Sequence, residues 1–140
     1  MRAGPPPPPA PLYHAAPHGY AIRRTIGEGG TAVIMAKFDA LRALELIERY
    51  RVTHSQWVPT MFVRMLKLPE ETRAKYDISS LQSVFHAAAP CPVPVKQGMI
   101  DWWGPIIHEF YGGTESGPVT LSDSADFLKK PGSVGRAVEG

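Results

Sequence analysis

The 140-residue sequence contains a single cysteine, Cys91. That excludes an internal disulfide and a thiolate metal cluster. Charge is nearly balanced: 15 Lys and Arg against 13 Asp and Glu leave a net +2, without the basic footprint of a nucleic-acid binder. No apolar run approaches the roughly 20 residues that span a bilayer, so no transmembrane segment is expected. Prolines occupy the N-terminus where a secretory signal would carry its apolar stretch. No pair among His14, His54, His86 and His108 has the spacing of a helical zinc site. These absences leave a soluble, cytoplasmic protein as the expectation. The length favours one domain, and a 44% hydrophobic share is enough for a core.

Proline is abundant instead, at 15 residues. Many sit in the opening "MRAGPPPPPAP". Consecutive prolines favour an extended polyproline II chain without a core. Residues 1–11 are therefore expected to form a disordered tail, ahead of a domain over residues 12–140. An SH3- or WW-type ligand is the functional alternative for the tail.

From Leu12 the pattern alternates. "PLYH", "TAVIMA", "VTHSQWV", "LQSVFHAAA" and "IIHEFYGG" are strand candidates. "GYAIRRTIGEGG", "ALRALELIERY", "MFVRMLKL" and the second half of "PVPVKQGMIDWWG" have helical character. Asp39 and Thr60 are placed to cap two of these helices. Glu45 and Arg49 form an i,i+4 pair on the wet side. The tail after Thr120 is expected to be loop, with one late strand near Val134. Strands separated by helices of this length predict an α/β fold: a small parallel sheet, about four strands wide, with flanking helices.

Parallel sheets bind ligands beyond the carboxyl ends of their strands. The residues there are His14, Pro59 and Thr60, Ala87 to Pro90, and Tyr111 to Glu115. Gly112 and Gly113 permit close approach of a ligand. Thr114 offers a hydroxyl to a phosphate oxygen. Glu115 offers a hard oxygen to Mg²⁺ carried on phosphate. Tyr111 is flat enough to lie on a purine, and the small side chains of Ala87, Ala88 and Ala89 leave room for a ring. On pattern alone, Gly-Gly-Thr-Glu is a common turn, and that reading comes first.

"YGGTE" resembles the Tyr-Gly-x-Thr-Glu signature of the adenylate-forming (AMP-binding) superfamily, which includes the acyl-CoA synthetases, or fatty-acid–CoA ligases. Four further segments resemble it in order: "PLYHAAPHGY", "VTHSQWVPTM", "HAAAPCP" and "PGSVGRAVEG". The resemblance covers residues 11–140 and implies an internal piece of the family's N-terminal domain. It implies activation of a carboxylic acid (fatty, aryl or steroid) with ATP to acyl-AMP, then transfer to coenzyme A. The cofactors implied are ATP, Mg²⁺ and coenzyme A. By resemblance Tyr111, Gly112, Gly113 and Thr114, with Ala88, Ala89 and Pro90, would hold the adenylate. Thr114 and Glu115 would be the catalytic residues, with Glu115 the metal ligand. His14 would stand beside the substrate carboxylate, and Thr60, Met61 and Phe62 would line the acyl wall. Ala87 stands where the family often has Gly, and Ala137 where it usually has Pro.

The same resemblance puts the family's phosphate loop upstream of "PLYH", and its ribose-binding Asp and catalytic Lys beyond Gly140. Adenylation by this chain alone is therefore expected to be negligible, and association with the remainder of the enzyme is expected. Bare strand edges and apolar patches would favour aggregation. Two other functions stay open: a non-catalytic nucleotide- or partner-binding fragment, and an adenylation domain serving a carrier protein. Cys91 is expected to be a packed small residue, and Trp57, Trp102 and Trp103 to belong to the core.

Overall fold

The computed structural model describes residue 14 and residues 17–139. The proline-rich tail and all of the "PLYH" strand candidate except His14 lie outside the described residues. A π-helix over Pro17–Arg24 runs into a single turn, α1 (Thr25–Gly27). Next come α2 (Ala40–Tyr50), β1 (His54–Trp57), α3 (Pro59–Leu66), α4 (Glu70–Arg73) and β2 (Ser83–His86). The chain ends with α5 (Val93–Trp103), β3 (Ile107–Gly113), β4 (Gly117–Ser122), α6 (Ser124–Lys129) and β5 (Arg136–Ala137).

The fold is α/β, with one five-stranded sheet in the order β1-β2-β3-β4-β5. The first three strands are parallel, joined by helical crossovers as the alternation predicts. β4 and β5 then add to the sheet antiparallel. β4 and α6 occupy the tail expected to be loop. "TAVIMA" is not a strand of this sheet; Thr31 makes only an isolated bridge.

α2 begins where Asp39 Oδ1 accepts from the Arg42 amide at 2.8 Å, which satisfies one of the free N–H groups of the first turn. Leu44 and Ile47 are fully buried, while Leu41 faces outward. Arg42, not Arg49, pairs with Glu45, at 2.6 Å. α3 begins differently from expectation. Val58 holds the cap position without a side-chain bond and Pro59 takes the first turn, where a missing N–H costs nothing. Thr60 therefore lies inside the helix.

Cross-strand partners share a face, so Trp57, His86 and Glu109 point the same way. An aromatic core covers this face. Trp57 meets Phe38 and Trp103 edge-on at centroid distances of 6.1 and 5.8 Å. Phe62 of α3 meets Trp103 at 6.1 Å and His86 at 5.5 Å. Such edge-to-face pairs add to the gain from burial. Met61 and Met65, one turn apart, complete the buried side of α3. No helix among the described residues is long and apolar enough to cross a membrane.

Candidate functional site

Because β1, β2 and β3 are parallel and in register at Trp57, His86 and Glu109, their carboxyl ends form one rim. Val58 to Thr60 leave it from β1, and Ala87 to Pro90 leave it from β2. β3 does not stop there. Its last four residues, Phe110 to Gly113, run past the end of β2 and pair only with β4. At about 3.3 Å per residue they project roughly 13 Å beyond the rim.

Tyr111 to Glu115 are thus the outer arm and tip of a β-hairpin. Both the turn reading and the strand-end reading of "GGTE" hold at once. The register shifts between Tyr111 and Gly112, the mark of a bulge that twists a strand locally. A Cβ on Gly112 would lie 1.9 Å from the Gly117 carbonyl oxygen. The glycine requirement there belongs to the close approach of β4. Gly113 has ordinary room, and its amide donates to Ser116 Oγ at 3.0 Å.

The tip is chemically available. Tyr111 is 61% exposed, and Gly112 to Ser116 are exposed. Among the described residues, neither the Thr114 hydroxyl nor the Glu115 carboxylate makes a hydrogen bond or ion pair. No group of three His, Cys, Asp or Glu among them could cage a metal ion. One free carboxylate without a cage suits Mg²⁺, which keeps its waters and binds through one or two carboxylates plus substrate phosphates.

The turn after β2 is strained. Ala88 has φ +74°, in the left-handed region that costs a residue with a Cβ about 1 kcal/mol or more. Ala87 is buried, whereas Ala88, Ala89 and Pro90 are exposed. Ala88 to Pro90 and Tyr111 to Glu115 therefore leave the sheet at the same end. Thr60 is exposed near the same rim, but Met61 and Phe62 are buried in the core of this chain. His14 is exposed and precedes the π-helix, where its carbonyl accepts from the His18 amide at 2.9 Å.

Beneath the rim lies a buried polar cluster that the sequence pattern did not reveal. Lys96 Nζ donates to Glu109 Oε2 at 2.7 Å and sits 4.8 Å from the Phe127 ring centroid. His86 Nε2 is 3.6 Å from the same carboxylate oxygen, too far for a hydrogen bond. Neither ring nitrogen of His86 has a hydrogen-bond partner. Burial, helped by the Lys96 charge, pushes the imidazole pKa down to about 3, so it is neutral at pH 7. The Cys91 thiol is pushed up to about 11 by burial and then by the Glu109 charge. A signal for the cluster existed. Glu109 has the same strand parity as buried Ile107, and Lys96 lies three and four residues from buried Met99 and Ile100.

A groove of about 540 Å³ between residues 31–37 and α2 lies elsewhere, and none of the candidate residues lines it.

The sequence profile of the AMP-binding enzyme family matches residues 8–140. The chain belongs to that family. A probable CoA ligase of Humulus lupulus is 34% identical over 128 residues, which are 91% of this chain and 23% of that protein. A long-chain-fatty-acid–CoA ligase of Bacillus subtilis is 32% identical over 125 residues, 89% of this chain and 22% of its own length. This chain thus spans under a quarter of the length of those curated relatives. Among solved structures, the o-succinylbenzoate CoA synthetase of Bacillus subtilis, in complex with ATP and magnesium ion, has a TM-score of 0.78 at 22% identity. The match covers 99% of this chain and 28% of that one, and it supports the fold.

Proposed function

We propose that this AMP-binding chain forms the adenylate-holding rim of an acid–CoA ligase. Such an enzyme activates a carboxylic acid with ATP to acyl-AMP and pyrophosphate, then passes the acyl group to the thiol of coenzyme A. In this reading Tyr111 lies on the adenine. Ala88, Ala89 and Pro90 line its other side, and Gly112 and Gly113 bring the backbone close. The Thr114 hydroxyl donates to a phosphate oxygen. The Glu115 carboxylate holds Mg²⁺ that also binds phosphate. His14 and Thr60 lie toward the acid, with Met61 and Phe62 behind them in the core.

The observation that carries the reading is the shared rim. The β2–β3 register brings the Ala88 turn and the hairpin tip to one end of the sheet, and the tip's oxygen donors are uncommitted. Phosphoryl chemistry depends on positioning and on neutralising developing charge. One hydroxyl and one carboxylate with its metal supply little of either, so these 140 residues alone bind adenylate and turn it over negligibly.

Calorimetry with a non-hydrolysable acyl-adenylate mimic tests this. Thr114→Ala is expected to weaken binding by about tenfold, the worth of one charge-assisted hydrogen bond. Glu115→Gln is expected to abolish the Mg²⁺ dependence. No heat at millimolar mimic sinks the nucleotide reading and favours an inert fragment. Robust pyrophosphate exchange by this chain overturns the expected inactivity.

A further inference from the structure

The geometry points to the Lys96–Glu109 ion pair as a register lock that fixes where the Tyr111–Glu115 hairpin leaves the rim it shares with the Ala88 turn. Calling that hairpin a nucleotide site rests on the function proposed above; the positioning itself does not.

Stability does not account for the pair. Two buried charges lose much of their hydration, and replacing such a pair with apolar side chains of similar size is often neutral or stabilising. Here Lys96 is fully buried and Glu109 nearly so, on a face otherwise filled by Trp57, Phe62, Trp103 and Phe127. What the charges add is direction: a Lys ammonium can satisfy only an acceptor at one place, whereas an apolar residue accepts several packings.

Its place in the fold is specific. His86 and Glu109 are the last paired residues of β2 and β3. One residue later β2 enters the turn of Ala87 to Pro90; two residues after Glu109 comes Tyr111. Beyond Glu109 nothing from β2 holds β3. Lys96 comes from α5, the helix that begins just after the Ala88 turn. The 2.7 Å bond therefore ties together the two segments that form the rim.

The alternative register is also excluded by charge. A one-residue slip of β3 would turn Glu109 to the opposite face and bring His108 or Phe110 to Lys96. Lys96 would then lose its carboxylate and be buried opposite an aromatic ring or the single acceptor nitrogen of a neutral imidazole. His86 supports this selection by staying uncharged, so the carboxylate answers to Lys96 alone. The groups facing the pair are thus His86 from β2, Cys91 from the loop before α5, and the Phe127 ring from α6.

Amide hydrogen exchange in the 140-residue protein tests the lock without any ligand. In the double variant Lys96→Met with Glu109→Met, the melting temperature is expected to stay within a few degrees of the unaltered protein. Exchange at residues 111–117 is expected to rise at least tenfold, with α2 unchanged. An unaltered rate at residues 111–117 overturns the proposal, as does an equal rise in α2. Should the double variant not fold, Glu109→Gln serves, because it keeps the side chain's size and replaces the charge-assisted bond to Lys96 with a weaker, neutral one. A severalfold rise confined to residues 111–117 is then expected, and an unaltered or uniform rate is fatal. If neither variant folds, the pair is a global determinant and the positioning role is wrong. AMP titration of the unaltered protein separates the two ideas: no binding, with the exchange response intact, sinks the adenylate reading and leaves the lock.

Discussion

One strand holds two kinds of structure. The first half of β3, Ile107 to Glu109, lies under helices and is fixed by packing: Ile107 is fully buried, and Ser124 Oγ both donates to its carbonyl at 2.9 Å and accepts from its amide at 3.1 Å. The second half, Tyr111 to Gly113, has no layer above it and is fixed by backbone shape, through the bulge and the missing Cβ of Gly112. Side chains in the first half are committed to one another. Those in the second half, with Thr114 and Glu115 beyond it, are free to meet something else. The stem carries the stability, and the tip carries the uncommitted side chains on which the proposed function rests.

Phe62→Ala attacks the stem most directly. It empties a fully buried site against His86 and Trp103, and is expected to cost about 3–5 kcal/mol, read as a lower urea midpoint. A loss below about 1 kcal/mol would mean that α3 does not pack on the sheet as described. Gly112→Ala strikes the junction. Its Cβ cannot coexist with the Gly117 carbonyl, so β4 must shift, at a cost of about 1–3 kcal/mol. In amide spectra the changes should concentrate at residues 110–118 and spare α2.

Acid acts on the buried stem through its histidines. The folded-state pKa of His86, about 3, is depressed below its ordinary 6.5. Between those values the unfolded chain binds the proton and the folded chain does not, so stability rises with pH. It is fully present above about pH 6.5 and is lost as pH falls toward 3. His108, also depressed by burial, acts in the same direction. Urea unfolding at pH 7.0, 5.5 and 4.5 should show a steady loss, and His86→Gln should flatten most of it. A slope unchanged by that substitution would show that His86 is not held neutral. The smallest effect belongs to the tip. Thr114→Ala is expected to change stability by less than about 0.5 kcal/mol while weakening the adenylate mimic. A larger stability change would place Thr114 in the scaffold.

The sequence showed those parts that a buried face imposes. β1, β2 and β3 and the helices α2, α3 and α5 are visible as apolar runs and periodicities, since each has one side under cover. β4 was not, because only one of its six residues is buried and they carry no alternation. Its place comes from pairing with the protruding arm of β3. α6 had a capping Asp123 as its signal, but it is short and follows a polar stretch. "TAVIMA" shows the opposite failure, with β-branched residues but no sheet partner among the described residues beyond one bridge. The exposed tip residues were legible through their chemistry and the family signature. Lys96 and Glu109 were missed, since a charge within a periodic pattern is ordinarily solvated; their spacing from buried neighbours was the signal, and the bond between α5 and β3 shows them to be interior.

The half-buried position of Cys91 has a practical side. With a thiol pKa near 11, only about one molecule in ten thousand carries the reactive sulfur anion at neutral pH. Air and maleimide dyes should find this lone sulfur slow to attack. Preparations should therefore keep in oxygenated buffer without a reducing agent, and rapid covalent labelling would be a quick sign that the polypeptide had opened.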